Sequence, residues 1–289
     1  MRPGGSDGDG VPRVILASIA GGKMAESMLL AGFVQGSFTD GGKTRETYTI
    51  GTGPGVVVIH EIPGITPEVA DFGRRVADRG LTAVLPVLFG TPGKPQSRGY
   101  LAEQFVRLCI SREFACLAKR RSSPITGWLR ALCRDVHQRC GGPGVGVVGM
   151  CATGGFALSL MADPAVLAPV LSQPSLPLPL TAAHRAALGI SCDELKRAQQ
   201  RCAEGVTILG LRFTGDRICP PERFETLRQK FGAHFEGIEI DSSWCNPYDI
   251  PEDAHSVLTV HLVDRQGHPT HQALERVLGM FEERLLRLP

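Results

Sequence analysis

No apolar stretch in the 289 residues approaches the roughly 18 needed to cross a membrane as a helix. No basic run stands out either: the 31 Lys and Arg are scattered along the chain, Arg outnumbers Lys by 25 to 6, and the net charge is only +2. A nucleic-acid partner is therefore not expected, because phosphate binding needs a concentrated basic surface. The first residues, MRPGGSDGDGVP, lack the apolar segment of a signal peptide and are expected to form a flexible tail over residues 1–12. No internal repeat is visible. No pair among the nine cysteines has C-x-x-C spacing, and their number is odd. With no export signal, this points to free thiols in a reducing cytoplasm rather than a disulfide framework. No cofactor is implied. His268 and His271 have no Cys or acidic cluster beside them, so no metal site is expected.

The composition is that of a globular domain: 43% hydrophobic and 21% charged, which excludes whole-chain disorder, collagen and coiled coil. Gly (35) and Pro (21) are above average and imply many turns between short elements. Gly32–Phe38 and Thr44–Ile50 flank Asp40-Gly41-Gly42 and predict an N-terminal hairpin. Val56–His60 is an uninterrupted apolar run of strand length, the signature of a strand buried on both faces of a parallel sheet. A helix follows, capped by Thr66, with Pro67 in its first turn and Gly80 ending it. Further strands are predicted at Ala83–Val87, Val145–Met150, Val166–Leu171, Val206–Phe213 and, last, Val257–Val263. Between them lie helical segments at 98–139, broken at Ser122-Ser123-Pro124, and at 154–161. Another runs from a Ser191/Glu194 capping box to about Cys202. Two more run from Pro220-Pro221 to about Phe231 and from about Thr270 onward. Alternating strands and helices predict an α/β fold with a mainly parallel central sheet and helices on both faces. The expected organisation is a tail at 1–12 and one domain over 13–289 with a helical insertion near 98–139.

The segment Gly149-Met150-Cys151-Ala152-Thr153-Gly154-Gly155 puts a cysteine between the end of a strand and the start of a helix. That is the context of a nucleophile elbow, a strained turn in which small residues let neighbouring backbone approach. A helix start also favours a thiolate and offers main-chain N–H groups to an oxyanion. The usual elbow has glycine where Thr153 stands. A cysteine nucleophile needs a base, and the base an orienting acid. Asp216 follows the strand at 206–213, and His268 follows the expected strand at 257–263. The order nucleophile, acid, histidine is that of α/β-hydrolase triads. His261 and His271 compete with His268 as the histidine.

These segments, together with Val58-Ile59-His60-Glu61-Ile62-Pro63-Gly64-Ile65, make residues 30–287 resemble the dienelactone hydrolase family of the α/β-hydrolase fold. The resemblance implies an ester or lactone hydrolase acting on a small molecule. It implies a Cys151–His268–Asp216 triad, and a glutamate, Glu61, that helps convert the thiol to a thiolate when substrate arrives. It also implies an oxyanion hole from the N–H groups of Ile62 and Ala152. Glu61 follows an apolar strand, which independently predicts partial desolvation beside the elbow. Family substrates often carry a carboxylate held by arginines. Arg98, Arg107, Arg112, Arg217 and Arg265 are the nearest candidates, and which of them, if any, would do so stays open. Two other readings stay open: a flavodoxin-like Cys–Glu amidotransferase or repair enzyme, and a hydrolase-fold binding protein without catalysis.

Overall fold

The computed structural model describes residues 29–110 and 124–287. The expected tail at 1–12 and the Ser122-Ser123 part of the helix break lie outside them. The strands are β1 (Val34–Asp40), β2 (Lys43–Gly51), β3 (Gly55–Ile59), β4 (Thr82–Pro86), β5 (Val145–Met150), β6 (Val166–Ser172), β7 (Ile208–Phe213) and β8 (Phe235–Ile240). They form one sheet in the order β1-β2-β4-β3-β5-β6-β7-β8. The β1–β2 hairpin turns at Gly41-Gly42, and β2 also pairs antiparallel with β4. Every pairing from β4 across to β8 is parallel.

The valine run of β3 explains the layering. Successive side chains of a strand point to opposite faces. Val57 and Ile59 pack with α3 (Pro124–Cys140) and α4 (Gly154–Leu160) on one face, and α6 (Cys192–Ala203) and α7 (Pro221–Phe231) join that layer. Val56 and Val58 pack with α1 (Pro67–Ala77) and α8 (Pro269–Leu285) on the other. A strand with a helix layer on each side has no polar face, so it reads as continuous hydrophobicity. The remaining described helices are α2 (Arg98–Ile110) and the short α5 (Ala182–Ala186). None of the described helices is long and apolar enough to cross a membrane.

One expected element is replaced by another. Residues 257–263 are not a strand; they form successive turns, with His261 N–H donating to Ser256 O at 3.0 Å and Leu262 N–H to Thr259 O at 3.0 Å. The eighth strand is instead Phe235–Ile240, whose sequence FEGIEI carries two glutamates. Glu239 accepts hydrogen bonds from Arg228 and from Arg212, a fully buried arginine inside β7. A charged edge strand is thus held by ion pairs that hydropathy cannot reveal.

His60, directly after β3, is fully buried. Its Nδ1–H donates to Glu61 O at 3.0 Å, and its Nε2 accepts the N–H of Leu88 at 3.1 Å. Protonation would cost the second bond, and burial, the dominant cause, lowers the pKa from 6.5 to about 4. The unfolded chain takes up a proton below pH 6.5 that the folded chain refuses, so this histidine destabilises the fold as pH falls from there towards 4. The His60 ring protons are expected to keep their NMR shifts from pH 8 down to about 5; a titration midpoint above 6 would contradict the assignment.

Candidate active site

Cys151 leaves β5 with φ +54°, a left-handed conformation that a non-glycine residue adopts only under constraint. Its neighbours explain how the turn fits. A side chain on Gly149 would collide with the Thr153 carbonyl oxygen, and one on Gly154 with the Pro174 backbone. Thr153, in the place of the usual glycine, is fully buried and binds the elbow together. Its hydroxyl accepts from Met150 N–H at 3.0 Å and lies 3.0 Å from Ile59 O and 3.1 Å from His60 O. The departure from the elbow pattern is therefore a tie between β5 and the end of β3, where Glu61 begins.

Asp216 sits in the turn after β7, as expected, and is almost fully buried. One carboxylate oxygen accepts the N–H groups of Ile218 and Cys219, at 3.0 and 3.1 Å. The other lies 2.7 Å from Nδ1 of His255. His255 also lies close enough to Cys151 for the charges of the two side chains to interact, and its Nε2 lies 3.5 Å from Ser175 Oγ. Burial alone would depress the imidazolium. The attraction of a Cys151 thiolate and the hydrogen bond to Asp216 outweigh it and hold the His255 pKa well above 6.5.

The expected pairing of Asp216 with His268 is not formed. His268 caps α8: its Nδ1 lies 2.7 Å from Thr270 Oγ1 and accepts the Thr270 N–H. Burial, then the charges of Arg265 and His271, lower its pKa. Of the two competitors, His271 pairs with Asp264 at 3.0 Å on the surface. His261 belongs to the site in another capacity. Its Nδ1 accepts the N–H groups of Ser256 and His255 at 3.2 and 3.4 Å, which fixes the backbone on either side of the His255 ring. Burial and the nearby His255 charge lower the His261 pKa, so the ring accepts at Nδ1 as a neutral imidazole.

Glu61 is buried, and its carboxylate accepts from Ser256 Oγ at 2.7 Å, from Thr259 Oγ1 and from Gln173 Nε2 at 3.3 Å. It thereby holds the turns that follow His255. Glu61, Ile62, Cys151, Ala152 and His255 line one cavity of about 440 Å³. Part of its wall is the 174–178 loop, which Arg223 holds from behind. This buried guanidinium donates to four carbonyl oxygens: Pro174 and Pro177 at 2.6 Å each, Ala187 at 2.8 Å and His184 at 3.0 Å. Among the described residues no cluster of His, Cys, Asp and Glu is suited to a metal ion.

The residue that sequence reasoning missed is His255. Its signal was the unassigned strand: with β8 ending at Ile240, the loop that should carry the triad histidine starts at 241, well before His255.

A family model described as the dienelactone hydrolase family matches residues 46–240. The match ends before either His255 or His268. A sequence comparison with curated proteins finds no match. Among solved structures, the chain is similar to a protein described as a dienelactone hydrolase from Klebsiella pneumoniae. The two share 18% identity with a TM-score of 0.57, over 87% of this chain and 99% of that one. It is also similar to a dienelactone hydrolase-like promiscuous phosphotriesterase from metagenomic libraries. There the identity is 17% and the TM-score 0.56, over 88% of this chain and 98% of the other. At these identities the likeness carries the α/β-hydrolase fold.

Proposed function

The chain belongs to the dienelactone hydrolase family, and from that premise we propose that it hydrolyses a carboxylic ester or lactone through Cys151, His255 and Asp216. One observation carries the reading: a cysteine held at positive φ shares a cavity wall with a histidine whose far nitrogen is fixed by a buried aspartate. In this reading Cys151 attacks the substrate carbonyl as a thiolate, with its proton on His255 Nε2. The S–C bond forms, and the carbonyl electron pair moves to oxygen, where the N–H groups of Ile62 and Ala152 receive it. Collapse breaks the ester C–O bond, and the departing alkoxide takes the proton from Nε2. Water then attacks the thioester, giving a proton to His255. The C–S bond breaks, and the acid leaves as the thiolate and imidazolium reform. Asp216 fixes the imidazole tautomer and orientation throughout. Glu61 acts through the loop: its bonds to Ser256 and Thr259 position His255.

Hydrolysis of p-nitrophenyl acetate or a dienelactone by the purified protein, compared with Asp216→Asn, tests this. The variant is expected to lose at least about 10²-fold in kcat/KM, because the orienting acceptor for Nδ1–H is gone. Wild-type turnover in Asp216→Asn would contradict the triad and favour a Cys–Glu mechanism that needs no aspartate.

A further inference from the structure

Resting on that reading, we infer that the substrate is a neutral ester with an apolar acyl part, not a carboxylate-bearing one. The cavity beside Cys151 is walled by Leu101, Phe105, Leu176, Leu178, Ile218 and Val260. These residues come from four separate segments and line the same cavity as Cys151. Its volume of about 440 Å³ is within the range of small-molecule sites.

A carboxylate in such a place needs a cation, and among the described residues no Arg or Lys lines the cavity. None of the described candidates, Arg98, Arg107, Arg217 and Arg265, is among the residues that line it. Arg217 lines a different cleft with Trp244, Asp249 and Glu252. Arg107 pairs with Glu103 at 2.7 Å. The buried Arg223 directs its donors to four main-chain carbonyls. Arg112 lies outside the described residues. The acyl part is bonded to Cys151 in the thioester that links the two half-reactions, so the apolar wall contacts it in both.

The experiment measures kcat/KM for p-nitrophenyl acetate, butanoate and hexanoate, and for the p-nitrophenyl monoester of adipate, which matches hexanoate in length but ends in a carboxylate. Each reaction is run with wild type, Cys151→Ala and Phe105→Arg. Values are expected to rise about threefold per methylene from acetate to hexanoate. The adipate ester is expected to fall at least about 100-fold below hexanoate, since its charge meets no Arg or Lys among the described lining residues and His255 is engaged by Asp216. Phe105, 41% exposed at the cavity rim, tolerates a long side chain. Phe105→Arg is expected to raise the adipate-to-hexanoate ratio at least about tenfold. Cys151-dependent hydrolysis in which adipate equals or exceeds hexanoate, or a ratio unmoved by Phe105→Arg, overturns the inference and leaves the triad standing. Hydrolysis equally fast in Cys151→Ala, or none in any protein, overturns the triad and the inference with it.

Discussion

Cys151→Ala is expected to lower kcat/KM for an activated ester by at least about 10³-fold while leaving the fold intact. The residue is only half-buried, and the substitution removes one sulfur from the cavity wall, so thermal unfolding should shift little. The strained backbone is the reason to expect so large a loss. A φ of +54° costs about 1–3 kcal/mol at a non-glycine residue. A glycine at 151 would adopt the same turn without that cost. A side chain there carries a backbone cost that glycine avoids, and it puts a sulfur where β5 ends. A Cys151→Gly variant is accordingly expected to be as inactive as Cys151→Ala and no less stable. Measuring activity alongside a urea midpoint separates the two effects; an unchanged rate in either variant contradicts a role for this sulfur.

His255→Ala is expected to cost at least about 10³-fold as well, and His268→Asn less than about threefold. In the proposed triad Cys151 and His255 act as a unit, so the double variant is expected to be scarcely slower than either single one. Asparagine at 268 keeps an acceptor for the Thr270 N–H and so preserves the helix cap. The reverse ranking, with His268→Asn crippled and His255→Ala active, would return the role to the residue that the expected strand at 257–263 suggests. The stability effect of His255 has the opposite pH sense to that of His60. Its folded pKa is raised above 6.5, so the stability it gains from Asp216 and Cys151 is complete below pH 6.5. That stability is lost as pH rises through the raised value. The urea-midpoint gap between wild type and His255→Ala should therefore narrow in alkaline solution.

Much of this fold is legible in the chain because burial writes itself into hydropathy. The Val56–Val58 run, the Thr66-Pro67 helix start and the glycine-flanked Cys151 each reflect one local physical demand, and the structure meets all three. Asp216 was legible for the same reason, since it directly follows a fully buried strand. Two neighbouring segments were misread together. Phe235–Ile240 carries two glutamates among its six residues and is held at the sheet edge by Arg212 and Arg228, a pairing between residues distant in sequence. Val257–Val263 is as apolar as a strand, yet its turns serve to bring Ser256 and Thr259 onto Glu61. Mistaking one for the other moved the last strand end from 240 to 263, and the histidine after it from His255 to His268. The glutamate itself was visible, but its partners were not, because Gln173, Ser256 and Thr259 meet it only in three dimensions.

The most direct test is the rate at which each cysteine reacts with iodoacetamide near neutral pH, followed by peptide mass spectrometry. Cys192 and Cys245 are exposed, whereas Cys151 is only half-buried, so access alone would make the first two react faster. Thiolate character, not exposure, sets the rate when a histidine partner holds the proton. Cys151 is expected to be alkylated at least about tenfold faster than Cys192 and Cys245, and His255→Ala is expected to abolish this lead while His268→Asn does not. A Cys151 that reacts no faster than the exposed thiols, or one whose lead survives His255→Ala, would contradict the proposed triad.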